Sequence, residues 1–406
     1  MSAIVSRRGV AHVSTRAALL DVIRGAGQIS RVDVARRTGL TGATVSTVVR
    51  GLIHDGLVIE VGHAESTGGK KAVILSLDPD ARYAVGVHLD QAGITYVLAN
   101  LGGAIVGRWR RAAGDGLAEP AAVVTRIATD LTAFITRVGV DQGLIVGLGV
   151  VFPGPLTSLI GMVLAPPVMH AWTDYPLARA LQETTGLPVM LENDATAAAV
   201  GEYWSGSREA GMCFAALYMG TGIGAGVMVR GDVYRGSSGN TGEIGHVCVQ
   251  LDGPPCWCGG HGCVEALAGP AAVVAEARAA GIHLLGTGVA ANFAALSRAA
   301  VAGEQAPLEI IGRSARYVAL AAHALANIMD LDRIVLTGPA FAHAGSLYVP
   351  AISDHLTRSF FARGRHPVEV VISANATEAA AVGGAALVLQ SELAPRAASA
   401  KSLFPA

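Results

Sequence analysis

The chain has 406 residues, 51% of them hydrophobic and 15% charged, so it can bury a sizeable core and is long enough for two or three domains. A net charge of −1 excludes a uniformly basic or acidic protein, and charges or glycines interrupt every apolar run short of the ~18 residues that a membrane span requires. That charge is unevenly divided: residues 1–77 carry ten Arg or Lys against five Asp or Glu, a head of +5 on a body of −6, the asymmetry of a head that meets a polyanion.

At the N-terminus Arg7-Arg8 lacks the apolar run of a secretory signal, because His12, Ser14 and Arg16 interrupt it; the expected location is the cytoplasm. Leu19, Leu20 and Ile23 mark one face of a short helix from Thr15 to Arg24. Ser30 caps a second helix in which Val32, Val34, Ala35 and Leu40 are expected to face inward, and Gly39 makes the turn. Thr41 then caps a third helix running to about His54, with Val45, Val48, Val49 and Leu52 on its core face. The opposite face, with Thr41, Thr44, Thr47 and Arg50, suits close approach to bases and phosphates. Strands at Gly56–Val61 and Ala72–Leu77 flank a basic tip, Ser66-Thr67-Gly68-Gly69-Lys70-Lys71. Three helices and a two-stranded wing give a winged helix-turn-helix over residues 1–81, with Lys70 and Lys71 as further contacts to a double-stranded DNA operator. Symmetric half-sites would require a homodimer, or a dimer of dimers, with heads roughly 34–36 Å apart.

After a connector at Asp78–Arg82 the pattern is that of an α/β body. Strands are expected at Tyr83–Leu89, Ile94–Leu98 and Ala104–Trp109, a helix at Ala121–Val138, and strands at Leu144–Val151 and Pro188–Leu191, the last delivering Asn193-Asp194 to its end. More strands follow from Cys213 and at Gly224–Val229; helices dominate from Pro270 to Asn327. Strands return at Ile334–Leu336 and Val368–Ile372, and a last helix, Glu378–Leu389, is expected to cross back to the first lobe.

The stretch from Gly242 to Glu265, GEIGHVCVQLDGPPCWCGGHGCVE, holds His246, Cys256, Cys258 and Cys263 in a chain with five Cys altogether. Three thiols and an imidazole complete a tetrahedral set with no position left for water, which predicts one structural Zn2+ per chain. Cys256 and Cys258 are one residue apart, so a redox Cys-x-x-Cys motif is absent. Glu243 and Glu265 bracket the loop, where a bound ion would hold two acceptors for a polyhydroxylated ligand.

Glu243-Ile244-Gly245-His246, Cys256-Trp257-Cys258-Gly259 and Gly262-Cys263-Val264-Glu265 together resemble the signature of the ROK family, which contains bacterial sugar kinases and sugar-responsive transcriptional regulators. The resemblance runs from about Arg82 to about Leu389. It implies a two-lobed actin/hexokinase-like (ribonuclease H-like) body: lobe 1 at 82–194, completed by about 381–406, and lobe 2 at 195–380 with the zinc loop. The head resembles that of ROK regulators, with Lys70-Lys71 where a common form has Arg-Pro. Asn193-Asp194 matches the family's sugar-binding pair, in which the aspartate acts as base in kinases. Glu243, His246 and Glu265 complete the implied sugar site, with His246 serving both metal and sugar. Ala165-Pro166-Pro167 stands where relatives often carry an asparagine, so one sugar contact is expected to be missing.

A sugar kinase also requires two backbone loops around the ATP phosphates. Gly220-Thr221-Gly222-Ile223-Gly224-Ala225-Gly226 keeps the glycine spacing of the second. Where the first should read Asp-x-Gly-Gly-Thr, this chain has His88-Leu89-Asp90-Gln91-Ala92, without the glycines that let backbone N–H groups reach phosphate. A retained sugar site with a degraded ATP site predicts a non-catalytic regulator, with Asp194 a vestigial base. It would be a repressor of carbohydrate genes whose operator binding is set by a sugar or sugar phosphate. The competing readings are an active sugar kinase with an appended head, and a protein-interaction scaffold that leaves Asn193-Asp194 unexplained.

Overall fold

The computed structural model describes residues 7–63, 72–90, 93–112, 119–154, 156–157, 161–162, 171–206 and 212–393. The wing tip with Lys70 and Lys71, the pair Gln91-Ala92, Ala165-Pro166-Pro167 and the tail after 393 lie outside the described residues.

The head consists of α1 (Arg7–Ala26), β1 (Gln28–Ser30), α2 (Arg31–Thr38), α3 (Gly42–His54), β2 (Val58–His63) and β3 (Val73–Leu77). Ser30 and Thr41 start α2 and α3 as expected, each side chain accepting a hydrogen bond from the backbone N–H three residues on. Leu19, Leu20 and Ile23 of α1, Val34 of α2, and Val45, Val49 and Leu52 of α3 are fully buried, each contributing roughly 1.5–3 kcal/mol over exposure. Val32 does not face inward: it is 69% exposed. Val34 is the buried residue of α2, and Val32, two residues away and so about 200° round the helix, faces the opposite side. The wing has a third strand, in the order β1-β3-β2, that the sequence reading did not anticipate.

The body is two five-stranded sheets. The first, in the order β10-β7-β4-β5-β6, comprises β4 (Tyr83–Asp90), β5 (Gly93–Asn100), β6 (Ile105–Ala112), β7 (Ile145–Phe152) and β10 (Val189–Asn193). Helices α4 (Pro120–Val138) and α5 (Leu177–Thr185) share its core cluster, and β8 (Leu156–Thr157) pairs with β9 (Gly161–Met162). The second sheet, β13-β12-β11-β14-β15, comprises β11 (Cys213–Met219), β12 (Ile223–Val229), β13 (Asp232–Val233), β14 (Arg333–Thr337) and β15 (Glu369–Ile372). Ala215, Leu217 and Met219 point to one side of it, into a core with α7 (Val264–Ala268), α8 (Pro270–Ala279), α9 (Gly288–Val301), α10 (Gln305–Met329) and α11 (Pro339–Ser359). The intervening Phe214, Ala216 and Tyr218 belong to a different cluster, shared with α6 (Asp194–Ser205) and α12 (Ala379–Leu393). The long helix α11 was not anticipated, whereas α12 returns to pack on β4, β5 and β7 as expected.

Helices α6 and α12 lie against each other between the sheets, and their approach is too close for ordinary side chains. A Cβ on Gly383 would stand 1.6 Å from the carbonyl oxygen of Ala197, and one on Gly226 of β12 would stand 2.2 Å from that of Ala195. Alanine fills most of the buried face of α6: Ala195, Ala197, Ala198 and Ala199. The helix is thus held by backbone contact on two sides, with Asn193 and Asp194 presented at its N-terminus.

Candidate functional site

Parallel strand β10 ends at Asn193, which becomes the N-cap of α6: its Oδ1 accepts from the N–H groups of Ala195 (2.9 Å) and Thr196 (3.2 Å). Asp194 Oδ1 also accepts from Ala195 N–H at 2.8 Å. Gly154, after β7, closes against this corner, since a Cβ there would lie 2.6 Å from Asn193 Nδ2 and 3.4 Å from Glu243 Oε1. Asn193, at the end of β10, and Glu243, in the stretch after β13, therefore face the same point. Asp194 still reaches solvent through the cleft, yet the surrounding protein pushes its carboxyl up to about 7. Burial is the main cause; the Ala195 hydrogen bond opposes it, and the charges of Glu243, Asp90 and Glu265 add to it. Burial likewise raises Glu243. Asn193, Asp194 and Glu243 thus offer polar groups in one neighbourhood, where the charges of Asp90 and Glu265 are also felt.

Glu265 has both oxygens engaged. Oε2 accepts from Ile223 N–H at 3.0 Å, and Oε1 accepts from Trp257 Nε1–H at 2.6 Å. It ties the Gly220–Ile223 turn to the cysteine loop, and a Cβ at 222 would meet Oε2 at 2.3 Å and force the Glu265 carboxylate to shift. Trp257 was missed in the sequence; its place between Cys256 and Cys258, next to the ligands, was the available signal. Its ring meets His246 edge-on, with centroids 5.1 Å apart. Arg235 was also missed: it pairs with Glu192, the residue before Asn193.

His246, Cys256, Cys258 and Cys263 offer donor atoms that all lie within 4.8 Å of one another, a cluster that can hold one metal ion. Cys256 Sγ is 3.6 Å from His246 Nδ1, and Cys258 Sγ is 3.8 Å from Cys263 Sγ. The turns that bring them together need left-handed backbone at Gly259 (φ 91°) and Gly262 (φ 61°). Cys263 is the buried member, and burial pushes its thiol up to about 12.

Where the resemblance places the first phosphate loop, β4 continues through His88, Leu89 and Asp90, and Asp90 pairs with Gly93 of β5. Asp90 Oδ1 accepts from Gly93 N–H at 2.9 Å. His88 is 3% exposed, burial lowers its pKa, and its ring lies edge-on to Tyr218 at 6.0 Å. The glycines of the second loop have structural occupants: Gly222 adjoins Glu265, and Gly224 and Gly226 adjoin α6. At Gly226 the backbone carbonyl of Ala195, 2.2 Å from where a Cβ would stand, requires glycine without any phosphate.

On the head, Thr41, Thr47 and Arg50 are exposed along α3 and Thr44 is half-buried. The Thr41 and Thr44 hydroxyls lie 2.9 Å apart. Arg16, Arg31 and Arg36 pair with Asp55, Glu60 and Asp33, whereas Arg50 has no ion pair among the described residues.

Residues 93–392 match the model of the ROK family, and the chain belongs to that family. It is 30% identical over 383 residues to a putative xylose repressor of Caldicellulosiruptor sp. (strain Rt8B.4), covering 90% of this chain and 93% of that protein. A glucokinase of Halalkalibacterium halodurans is 29% identical, but the match covers 77% of this chain and 96% of the kinase. Among solved structures, a ROK family transcriptional regulator described as a homolog of the Escherichia coli MLC protein superposes with a TM-score of 0.76 at 22% identity. The match covers 94% of this chain and 98% of that one. Head and body together thus have the architecture of the regulators, and the chain falls in the regulator branch of the family. Among the described residues, no helix is long and apolar enough to cross a membrane.

Asp194 gives a pH signature. A carboxyl raised from 3.8 unfolded to about 7 folded opposes folding once ionised. The penalty is absent below about pH 4, grows through pH 4–7 and is constant above. Asp194→Asn is expected to raise the melting temperature at pH 8 and to leave it unchanged near pH 4, as checked by thermal melts across that range.

Proposed function

We propose that the protein is a transcriptional repressor whose operator binding is set by a sugar or sugar phosphate, and that it does not turn over ATP. The observation that carries this reading is the contrast within one cleft. Asn193, Asp194 and Glu243 converge as a hydroxyl-binding corner, while the first phosphate loop's opening positions lie in strand β4 as a buried imidazole, His88, and the Asp90 carboxylate. A triphosphate there would meet negative charge in a poorly solvated cleft and no glycine backbone to cradle it. The repressor relatives extend over the head as well, in keeping with this reading.

In this account residues 1–81 bind double-stranded DNA through Thr41, Thr44, Thr47 and Arg50 of the third helix and Lys70 and Lys71 of the wing. Residues 82–194, completed by 381–406, and 195–380 are the two lobes. Asn193, Asp194, Glu243, His246 and Glu265 hold the sugar. The protein acts in the cytoplasm as a homodimer, or a dimer of dimers, that spans symmetric half-sites.

The ion is zinc, bound by His246, Cys256, Cys258 and Cys263. With Zn–S bonds of ~2.3 Å and a Zn–N bond of ~2.0 Å, a tetrahedron sets sulfur–sulfur and sulfur–nitrogen distances of about 3.8 and 3.5 Å. Two of the six separations, 3.8 and 3.6 Å, match it, and all four donor atoms lie within 4.8 Å of one another. The ion's work is structural: it fixes the loop whose Trp257 orients Glu265. Elemental analysis is expected to give one zinc per chain, and Cys258→Ser to lose it together with much of the body's thermal stability. Wild type purified with substantially less than one zinc would refute the assignment.

The function itself is tested with a DNA duplex that the protein selects from a random pool. D-xylose, D-glucose and D-glucose 6-phosphate are added in turn, without ATP. One of them is expected to change duplex affinity by roughly 5–150-fold. Asp194→Asn is expected to weaken that sugar's effect by about tenfold or more in sugar concentration, since a charged hydrogen-bond acceptor is lost, typically ~1.5–3 kcal/mol. An Asp194→Asn protein that responds like wild type would remove Asp194 from the sugar site.

A further inference from the structure

Helix α6 begins at the candidate sugar site and ends against the DNA-binding head. We propose that Arg24 and Trp204 are positioning residues that carry the state of the sugar site to the head. This inference rests on the sensor function above and adds the route of its regulation.

Trp204 follows Asp194 by ten residues on α6, about 15 Å along the helix axis. Its ring is 3% exposed. The guanidinium of Arg24, in the last turn of α1, stands over that ring with Cζ 3.2 Å from the centroid. The Arg24 side chain is 2% exposed, and it also reaches Asp21 at 3.3 Å, itself 56% exposed. The indole is closed in from lobe 1 as well: a Cβ on Gly103, in the β5–β6 turn, would lie 2.7 Å from Trp204 Nε1. The same turn holds the connector, for Leu101 N–H donates to the carbonyls of Pro79 and Arg82 at 2.9 Å each. Asn100 Nδ2 donates to Asp80 Oδ1 at 3.2 Å. One indole is therefore enclosed by the head, the sugar-site helix and the hinge between head and body.

Three physical properties make this contact a relay. First, α6 is pinned by backbone approach to Gly383 and Gly226, so displacement at its N-terminus travels along it as a rigid shear rather than dissipating in side-chain rotations. Second, Asn193 Oδ1 and Asp194 Oδ1 cap the first turn of α6 and are also candidate sugar acceptors; hydroxyls competing for those oxygens act directly on the helix end. Third, a buried guanidinium stacked on indole has no graded alternative. Displacing it strips a desolvated cation from its ring, so this contact resists separation of head and body. Beyond Arg24, Leu19, Leu20 and Ile23 of α1 share one core cluster with Val45, Val48, Val49 and Leu52 of α3. Movement of α1 thereby reaches the helix proposed to enter the major groove.

The test uses full-length protein, the selected duplex, and whichever of D-xylose, D-glucose or D-glucose 6-phosphate raises the wild-type melting temperature. Two quantities are measured: the sugar Kd without DNA, by calorimetry, and the ratio of duplex Kd with and without saturating sugar. In Arg24→Ala the sugar Kd is expected to stay within about threefold of wild type, while the duplex ratio falls to within about twofold of one. Arg24→Lys, which keeps a cation, and Trp204→Phe, which keeps an aromatic face, are expected to retain intermediate ratios; a merely structural role would not grade in this way. Should Arg24→Ala fail to fold, these two variants decide. Variants that bind sugar normally and keep the full wild-type ratio overturn the relay and leave the sensor function standing. A wild type whose duplex affinity ignores a sugar that binds it overturns both.

Discussion

Helix α6 sits between the two sheets with glycines facing it where backbone meets backbone. Gly383 and Gly226 let neighbouring backbone approach the carbonyls of Ala197 and Ala195, and alanines fill the buried face of the helix. Such packing leaves no rotamers to absorb a displacement. It also fixes what stands at each end: the Asn193-Asp194 corner at the N-terminus and Trp204 under Arg24 near the C-terminus. The sheets, the cleft and the junction with the head all depend on this one element staying in place.

The cleft that α6 opens onto is chemically lopsided. Burial raises the proton affinity of Asp194, and the charges of Glu243, Asp90 and Glu265 add to it. Acceptors of this kind match a ligand rich in hydroxyls. A nucleotide triphosphate would need N–H groups and cations at the β4–β5 turn, where the chain places a buried His88 and an Asp90 already bonded to Gly93. The cysteine loop adds rigidity from the other lobe, because Trp257 and Glu265 connect the metal ligands to the turn before β12.

Much of this was legible in the residues. The His-Cys-Cys-Cys spacing marks a single centre because donor chemistry is local, and the stripe of Val45, Val48, Val49 and Leu52 marks the core face of α3 for the same reason. The apolar strands of both sheets stand out against the turns between them. Harder features depended on distant partners. Helix α11 is obscured by Pro350 in its interior and by its mixed composition. Val32 looked like a core position, but in the helix it lies about 200° from buried Val34 and faces solvent. The glycines at 224 and 226 looked like a phosphate loop, yet their close neighbour is a helix thirty residues earlier in the chain. Arg24 and Trp204 lie 180 positions apart, and nothing in either neighbourhood announces the other.

The central claim is that a sugar site persists in a protein that has given up phosphoryl transfer. A coupled assay with ATP, Mg2+ and a sugar already shown by calorimetry to bind addresses it directly. The account predicts sugar binding with no phosphorylated product above background, at any ATP concentration. Turnover at ordinary kinase rates, roughly 1–100 per second, abolished by Asp194→Asn, would contradict it.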